Sequence, residues 1–103
     1  MGNMQKRFEY ISAVIADVVK AYDVLEVYVF GSYARGEQTT ESDIDLRFAC
    51  GPSITFGDLD DIASELESRL HVPVEIVTNP LEKMRPKFRE RVLKDEVRLY
   101  EAA

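Results

Sequence analysis

The stretch VYVFGSYARGEQTTESDIDLRFA, residues 27–49, decides the fold. Its first four residues end a run from Val24 to Phe30 that is rich in β-branched and aromatic side chains and stops at Gly31, as a buried strand does. Its last eight, Ser42 to Ala49, alternate polar and apolar residues. That period predicts a second strand, with Ile44, Leu46 and Phe48 on one face and Asp43, Asp45 and Arg47 on the other. Between the strands lies a polar connection of ten residues, Tyr33 to Ser42.

Outward from this centre the pattern is helical on the N-terminal side. Met4, Phe8, Ile11, Ile15, Val18 and Tyr22 recur at steps of four and three, one face of an amphipathic helix. On the C-terminal side Gly51-Pro52-Ser53 breaks the chain, and Phe56, Leu59, Ile62, Ala63, Leu66 and Leu70 mark a second such helix. Asp58, Asp60 and Asp61 fall in its first turns, where the helix dipole favours negative charge. Val72 to Thr78 predicts a third strand, closed by Asn79-Pro80. Pro86 suits the first position of a third helix running to about Lys94, and Val97 to Tyr100 predicts a short edge strand. The order αβ-β-αβ-α-β describes an α/β domain, one mixed sheet packed with helices, occupying residues 1–103 without repeats or a linker.

The chain of 103 residues is 46% hydrophobic, enough for one packed core and too short for two domains. No apolar run approaches the ~20 residues of a membrane span, and the N-terminal MGNMQKRFEY lacks a signal-like apolar stretch, so a cytoplasmic protein without membrane association is expected. Cys50 has no second thiol to pair with and is expected to be a small buried hydrophobe. The net charge of -6 argues against direct nucleic-acid binding through a general phosphate-neutralising surface. Charge is unevenly spread: Lys83, Arg85, Lys87, Arg89, Arg91 and Lys94 stand against Glu90 alone, so residues 83–94 carry +5 and the remainder -11. This basic segment is either a solvated helix face or a contact surface for a partner.

The chemistry-bearing residues cluster on the central stretch. Glycine admits a close approach of backbone to a bulky anion, and a serine opening a helical turn offers its hydroxyl and free amides to phosphate oxygens, so Gly31 and Ser32 are candidate phosphate ligands. Residues two apart on a strand share a face, which sets the carboxylates of Asp43 and Asp45 side by side. Their repulsion is relieved by a hard divalent cation such as Mg²⁺ that also bridges to substrate phosphates. Glu75 is acidic within an otherwise apolar strand. If that strand lies beside the Asp-x-Asp strand, Glu75 completes the metal site or takes the proton of an attacking hydroxyl.

The segment GSYARGEQTTESDIDL resembles the signature of the polymerase-beta nucleotidyltransferase superfamily, and is most similar to its smallest branch, the MNT domains, where GS-x-ARG and SD-x-DL are typical. The resemblance implies a minimal nucleotidyltransferase fold over nearly the whole chain. It also implies the antitoxin of a HEPN/MNT toxin–antitoxin pair, which transfers AMP from ATP to a tyrosine of a HEPN ribonuclease toxin and forms a hetero-oligomer with it. On that analogy Gly31 and Ser32 hold phosphates, Asp43 and Asp45 bind Mg²⁺, and Glu75 takes the third carboxylate position. Glu75 departs from the more usual aspartate by one methylene, which relaxes the metal geometry. The alternative is therefore a catalytically degenerate binding module that inhibits its HEPN partner by covering it.

The remaining polar residues have competing roles. Arg35 either contacts a phosphate, as a third nucleotide-binding residue, or pairs with Glu37 or Glu41. Arg47 shares the face of Asp43 and Asp45 and is expected to offset their charge as a structural residue. His71 suits a helix end, and Tyr10, Tyr22, Tyr28 and Tyr100 are expected in the core or an interface.

Overall fold

A computed structural model describes residues 2–103, with side chains from residue 6 onward. Helix α1, Gly2–Val19, buries Ile11, Val14, Ile15, Val18 and Val19, while Phe8 packs at the margin and the side chain of Met4 lies outside the described residues. The helix ends before Tyr22 because the Tyr22 amide turns to the Val19 carbonyl at 2.9 Å, a tighter closing turn. Strand β1, Val24–Phe30, follows, and the polar connection begins with the helical turn expected at Ser32, α2, Ser32–Arg35, whose Tyr33 and Ala34 are buried.

Strand β2 spans Ile44–Cys50 and starts two residues later than the alternation predicts. Ser42 is engaged locally, its amide on the Thr39 carbonyl at 3.1 Å and its hydroxyl accepting from the Thr39 amide at 2.8 Å, so Asp43 stands just ahead of the ladder. Helix α3, Phe56–Leu70, begins with a capping box in which Thr55 and Asp58 exchange side-chain and backbone hydrogen bonds. Capping at Thr55 makes Phe56 the first helical residue, short of the packed face, and it is 86% exposed rather than in the core. Ile62 and Leu66 carry the packing. His71 closes α3 in a left-handed conformation, φ 61°, its amide on the Glu67 carbonyl.

Strand β3 is Val74–Val77, then a 3-10 turn at Leu81–Lys83 leads to α4, Pro86–Asp95, with Pro86 in its first turn, and to β4, Val97–Glu101. The sheet order is β3-β2-β1-β4. Strand β1 is antiparallel to β2 and β4, whereas β2 and β3 are parallel and joined through α3. One face packs α1 and α3 over Val27, Val29, Ile44, Leu46 and Phe48, each side chain nearly or wholly removed from water. Burial at that level is worth about 1.5–3 kcal/mol per large aliphatic side chain. On the other face Phe30, Met84 and Val92 form a small second cluster with Val77, Leu81 and Phe88. Phe30 and Phe88 meet edge to face at 5.9 Å, which fixes α4 beside the C-terminal end of β1. Tyr22 and Tyr100 pack against the main core as expected; Tyr10 does not, being 58% exposed. Cys50 is half-buried, and burial together with the nearby Asp23 carboxylate pushes its thiol pKa up, so it remains a protonated apolar group.

Candidate active site

The end of β1, the turn into α2, the start of β2 and the middle of β3 converge below α4 in an open cleft of about 390 Å³. It is lined by Gly31, Ser32, Asp45 and Glu75 on one side and by Phe88, Arg91 and Asp95 of α4 on the other. Gly31 has φ 74° and ψ −152°, a backbone region open to glycine and strained for any other residue. Contact supplies a second reason for glycine: a Cβ at Gly31 would sit 2.5 Å from Oδ2 of Asp45. The close approach that the sequence assigns to a phosphate is thus also an approach to the Asp45 carboxylate. Gly36, at φ 73°, ends α2 by returning its amide to the Tyr33 carbonyl, and buried Tyr33 and Ala34 anchor the turn to the core.

Asp45 stands opposite Phe30 on β1 and opposite Glu75 on β3. The condition on which the role of Glu75 depended, adjacency of its strand to Asp-x-Asp, is met in exact register. Glu75 itself is exposed, because β3 is an edge strand and the cleft opens above it. Burial raises the Asp45 pKa above the ordinary aspartate range, the charges of Glu75 and then Asp43 push it further, and Arg35 opposes them. Asp43 is exposed and acts on the cleft from its rim. Among the described residues no three His, Cys, Asp or Glu side chains form a ready-made metal cage. The donor set nonetheless fits a hard cation: all-oxygen ligands, mutually repelling, one of them desolvated.

Arg35 lines the cleft but is engaged twice, through Nε to Glu37 at 2.8 Å and through Nη1 to Asp95 at 2.6 Å. Of the two sequence alternatives the pairing with Glu37 is present, and Asp95, 60 residues away, is an additional partner. Arg47 does not offset Asp43 and Asp45. It forms a two-point ion pair with Glu96 at 2.9 and 3.0 Å, nearly buried, with its guanidinium 4.4 Å from the centre of the Tyr28 ring. Its role is structural, locking β2 to the junction of α4 and β4. Nothing in the local sequence around Asp95 or Glu96 announces these partnerships, since an acid at a helix end is ordinarily solvated.

A larger hollow of about 570 Å³ between α1 and α3 includes Asp17, Asp61, Glu65 and Arg69. It has no glycine turn, and Arg69 is held by Asp17 at 2.7 Å, so the cleft on the opposite side of the sheet is the candidate site.

A glycine-serine turn facing strand-borne carboxylates across a mixed sheet defines a nucleotidyltransferase-type site. The chain belongs to the polymerase beta nucleotidyltransferase family, whose model matches residues 14–103. A Methanocaldococcus jannaschii protein that bears the name of a protein adenylyltransferase is 32% identical over 87 residues, covering 84% of this chain and 91% of that one. A solved structure described as a minimal nucleotidyltransferase is 33% identical, with TM-score 0.66, covering 90% of this chain and 89% of the other. The same fold occurs at 22% identity and TM-score 0.71 in a toxin–antitoxin crystal structure with AMP-PNP, covering 88% of this chain and 73% of that one. It occurs again at 18% identity and TM-score 0.65 in a complex of MNT antitoxin with tri-AMPylated HEPN toxin from Shewanella oneidensis, covering 92% and 73%. Among the described residues no helix is long and apolar enough to cross a membrane.

Proposed function

We propose that this chain is an antitoxin that transfers AMP from ATP to a tyrosine of a HEPN-domain toxin, with which it forms a hetero-oligomer. The observation that carries this reading is Asp45, half-buried and facing both the Gly31-Ser32 turn and Glu75. The relative named for protein adenylylation and the fold shared with MNT antitoxins support it.

In this mechanism the Ser32 hydroxyl and the amides opening α2 donate to phosphate oxygens of ATP. Asp43 and Asp45 would hold Mg²⁺, which when bound would screen phosphate charge and relieve the repulsion among the carboxylates, leaving Glu75 free to act as the base. The acceptor oxygen attacks the α-phosphorus in line, forming the new O–P bond as the bond to the β-phosphate bridging oxygen breaks and pyrophosphate leaves. Glu75, exposed at the mouth of the cleft, accepts the hydroxyl proton and releases it to solvent.

A second reading, a binding module that silences the toxin by covering it, is favoured by one observation: Glu75 sits at the cleft's open edge and the carboxylates do not form a closed cage. Incubating the chain and Mg²⁺-ATP with a large excess of the HEPN toxin, followed by intact mass spectrometry, separates the two. AMP-sized additions at tyrosine that disappear when Asp43 and Asp45 are both changed to asparagine support transfer. Inhibition only at stoichiometric ratio, with unmodified toxin mass, establishes the binding module instead.

A further inference from the structure

Two cations line the cleft, and they are not equivalent. The Arg35 guanidinium is held by Glu37 at 2.8 Å and by Asp95 at 2.6 Å, with only 10% of the Asp95 side chain exposed. Two of its donors are thus committed to carboxylates and its position is fixed. Arg91 lines the same cleft from α4, is exposed, and forms no ion pair or side-chain hydrogen bond among the described residues. Around them stand Asp45, Glu75 and Asp95, with Asp43 at the rim, so the cleft is acidic on balance and repels a polyphosphate.

From this we infer that Arg91, rather than Arg35, is the side chain that receives the polyphosphate tail of the nucleotide, while Arg35 is a positioning residue tying α2 to the end of α4. The inference rests on the nucleotide reading above and assigns a residue within that site. Arg91 suits the task physically. Its planar fork can grip two phosphate oxygens with no carboxylate competing for it, whereas Arg35 has its Nε and Nη1 committed to Glu37 and Asp95, whose charges offset its own pull on a phosphate. Position supports it as well. Phe88 lies one turn before Arg91, packs on Phe30 and holds that part of α4 against the cleft wall. The long arginine therefore projects from an anchored helix rather than from a loop.

The test is calorimetric binding of Mg²⁺-ATP, Mg²⁺-ADP and AMP to the full chain and to its Arg91→Gln, Arg91→Lys and Arg35→Gln variants, with a melting curve for each. Loss of a charge-assisted phosphate contact predicts that Arg91→Gln weakens ATP and ADP by roughly 10- to 100-fold and AMP by much less, with the melting temperature unchanged. Arg91→Lys should recover part of the loss as a single-point charge. Arg35→Gln should lower the melting temperature by leaving Asp95 unpaired and weaken ATP less than Arg91→Gln does. The inference is overturned if Arg91→Gln binds Mg²⁺-ATP as the parent does, or if it weakens AMP as much as ATP, which would put Arg91 on the nucleoside. A parent that binds no nucleotide refutes the functional reading itself, a result visible before any variant is compared.

Discussion

Replacing Asp45 with asparagine should stabilise the metal-free protein while destroying its function. Burial and the negative charges of Glu75 and Asp43 hold the Asp45 pKa above the ordinary aspartate range. For an acid whose pKa is raised by folding, no penalty exists while the group is protonated, below its unfolded pKa. The penalty builds as pH rises from the unfolded pKa towards the raised folded-state value and is complete above it. Asparagine keeps the shape beside Gly31 and removes the charge. Facing residues on neighbouring strands have Cβ atoms ~5 Å apart, and two unit charges at that distance repel by about 1 kcal/mol at water's dielectric and about 3 kcal/mol at an effective dielectric of 20. Because Glu75 is exposed, the lower figure applies, about 1 kcal/mol. In a domain of this size that corresponds to about 4–8 °C. The assay is thermal melting of parent and Asp45→Asn in chelator at neutral pH, repeated as pH is lowered and with Mg²⁺ added. Asp45→Asn should melt higher in chelator, the difference should shrink on acidification, and Mg²⁺ should raise only the parent. A variant that melts at or below the parent at neutral pH would refute the claim that Asp45 is held against its own electrostatics for the sake of a cation.

Gly31→Ala should cost about 1–3 kcal/mol of stability from the φ 74° backbone alone and, by pushing against the Asp45 carboxylate, abolish Mg²⁺-ATP binding; a well-folded variant with intact binding in calorimetry would contradict the geometry. Arg47→Met should destabilise by about 2–4 kcal/mol because Glu96 is left nearly buried and unpaired, and denaturant unfolding of Arg47→Met, Glu96→Gln and the double variant should show strong coupling. Glu75→Gln should leave nucleotide affinity close to the parent's and lower the rate of AMP transfer by roughly 10²- to 10⁴-fold, read by mass spectrometry of the toxin. An unchanged rate would return Glu75 to an ordinary surface residue of an edge strand.

Much of this protein is written in short-range pattern. The helical period of Ile11, Ile15 and Val18, the alternation around Ile44, Leu46 and Phe48, and Pro86 at the start of α4 each depend on neighbours within a turn or two of chain, so they are legible without coordinates. The spacing from Gly31-Ser32 to Asp43 and Asp45 is legible for the same reason, since a single hairpin-like connection brings the two ends together. Local chemistry also overrode the period where it was strong: the Thr39–Ser42 turn delays β2, and the Thr55 cap leaves Phe56 in solvent. What no window of sequence contains is the order of strands. Only the parallel pairing of β2 with β3 decides that Glu75 faces Asp45, and only the return of α4 across the far face brings Asp95 to Arg35, Glu96 to Arg47 and Arg91 into the cleft. Charges attract over distances that ignore chain separation, so which of several arginines pairs with which acid, and which is left to meet a ligand, is decided by the packing of the sheet and its helices.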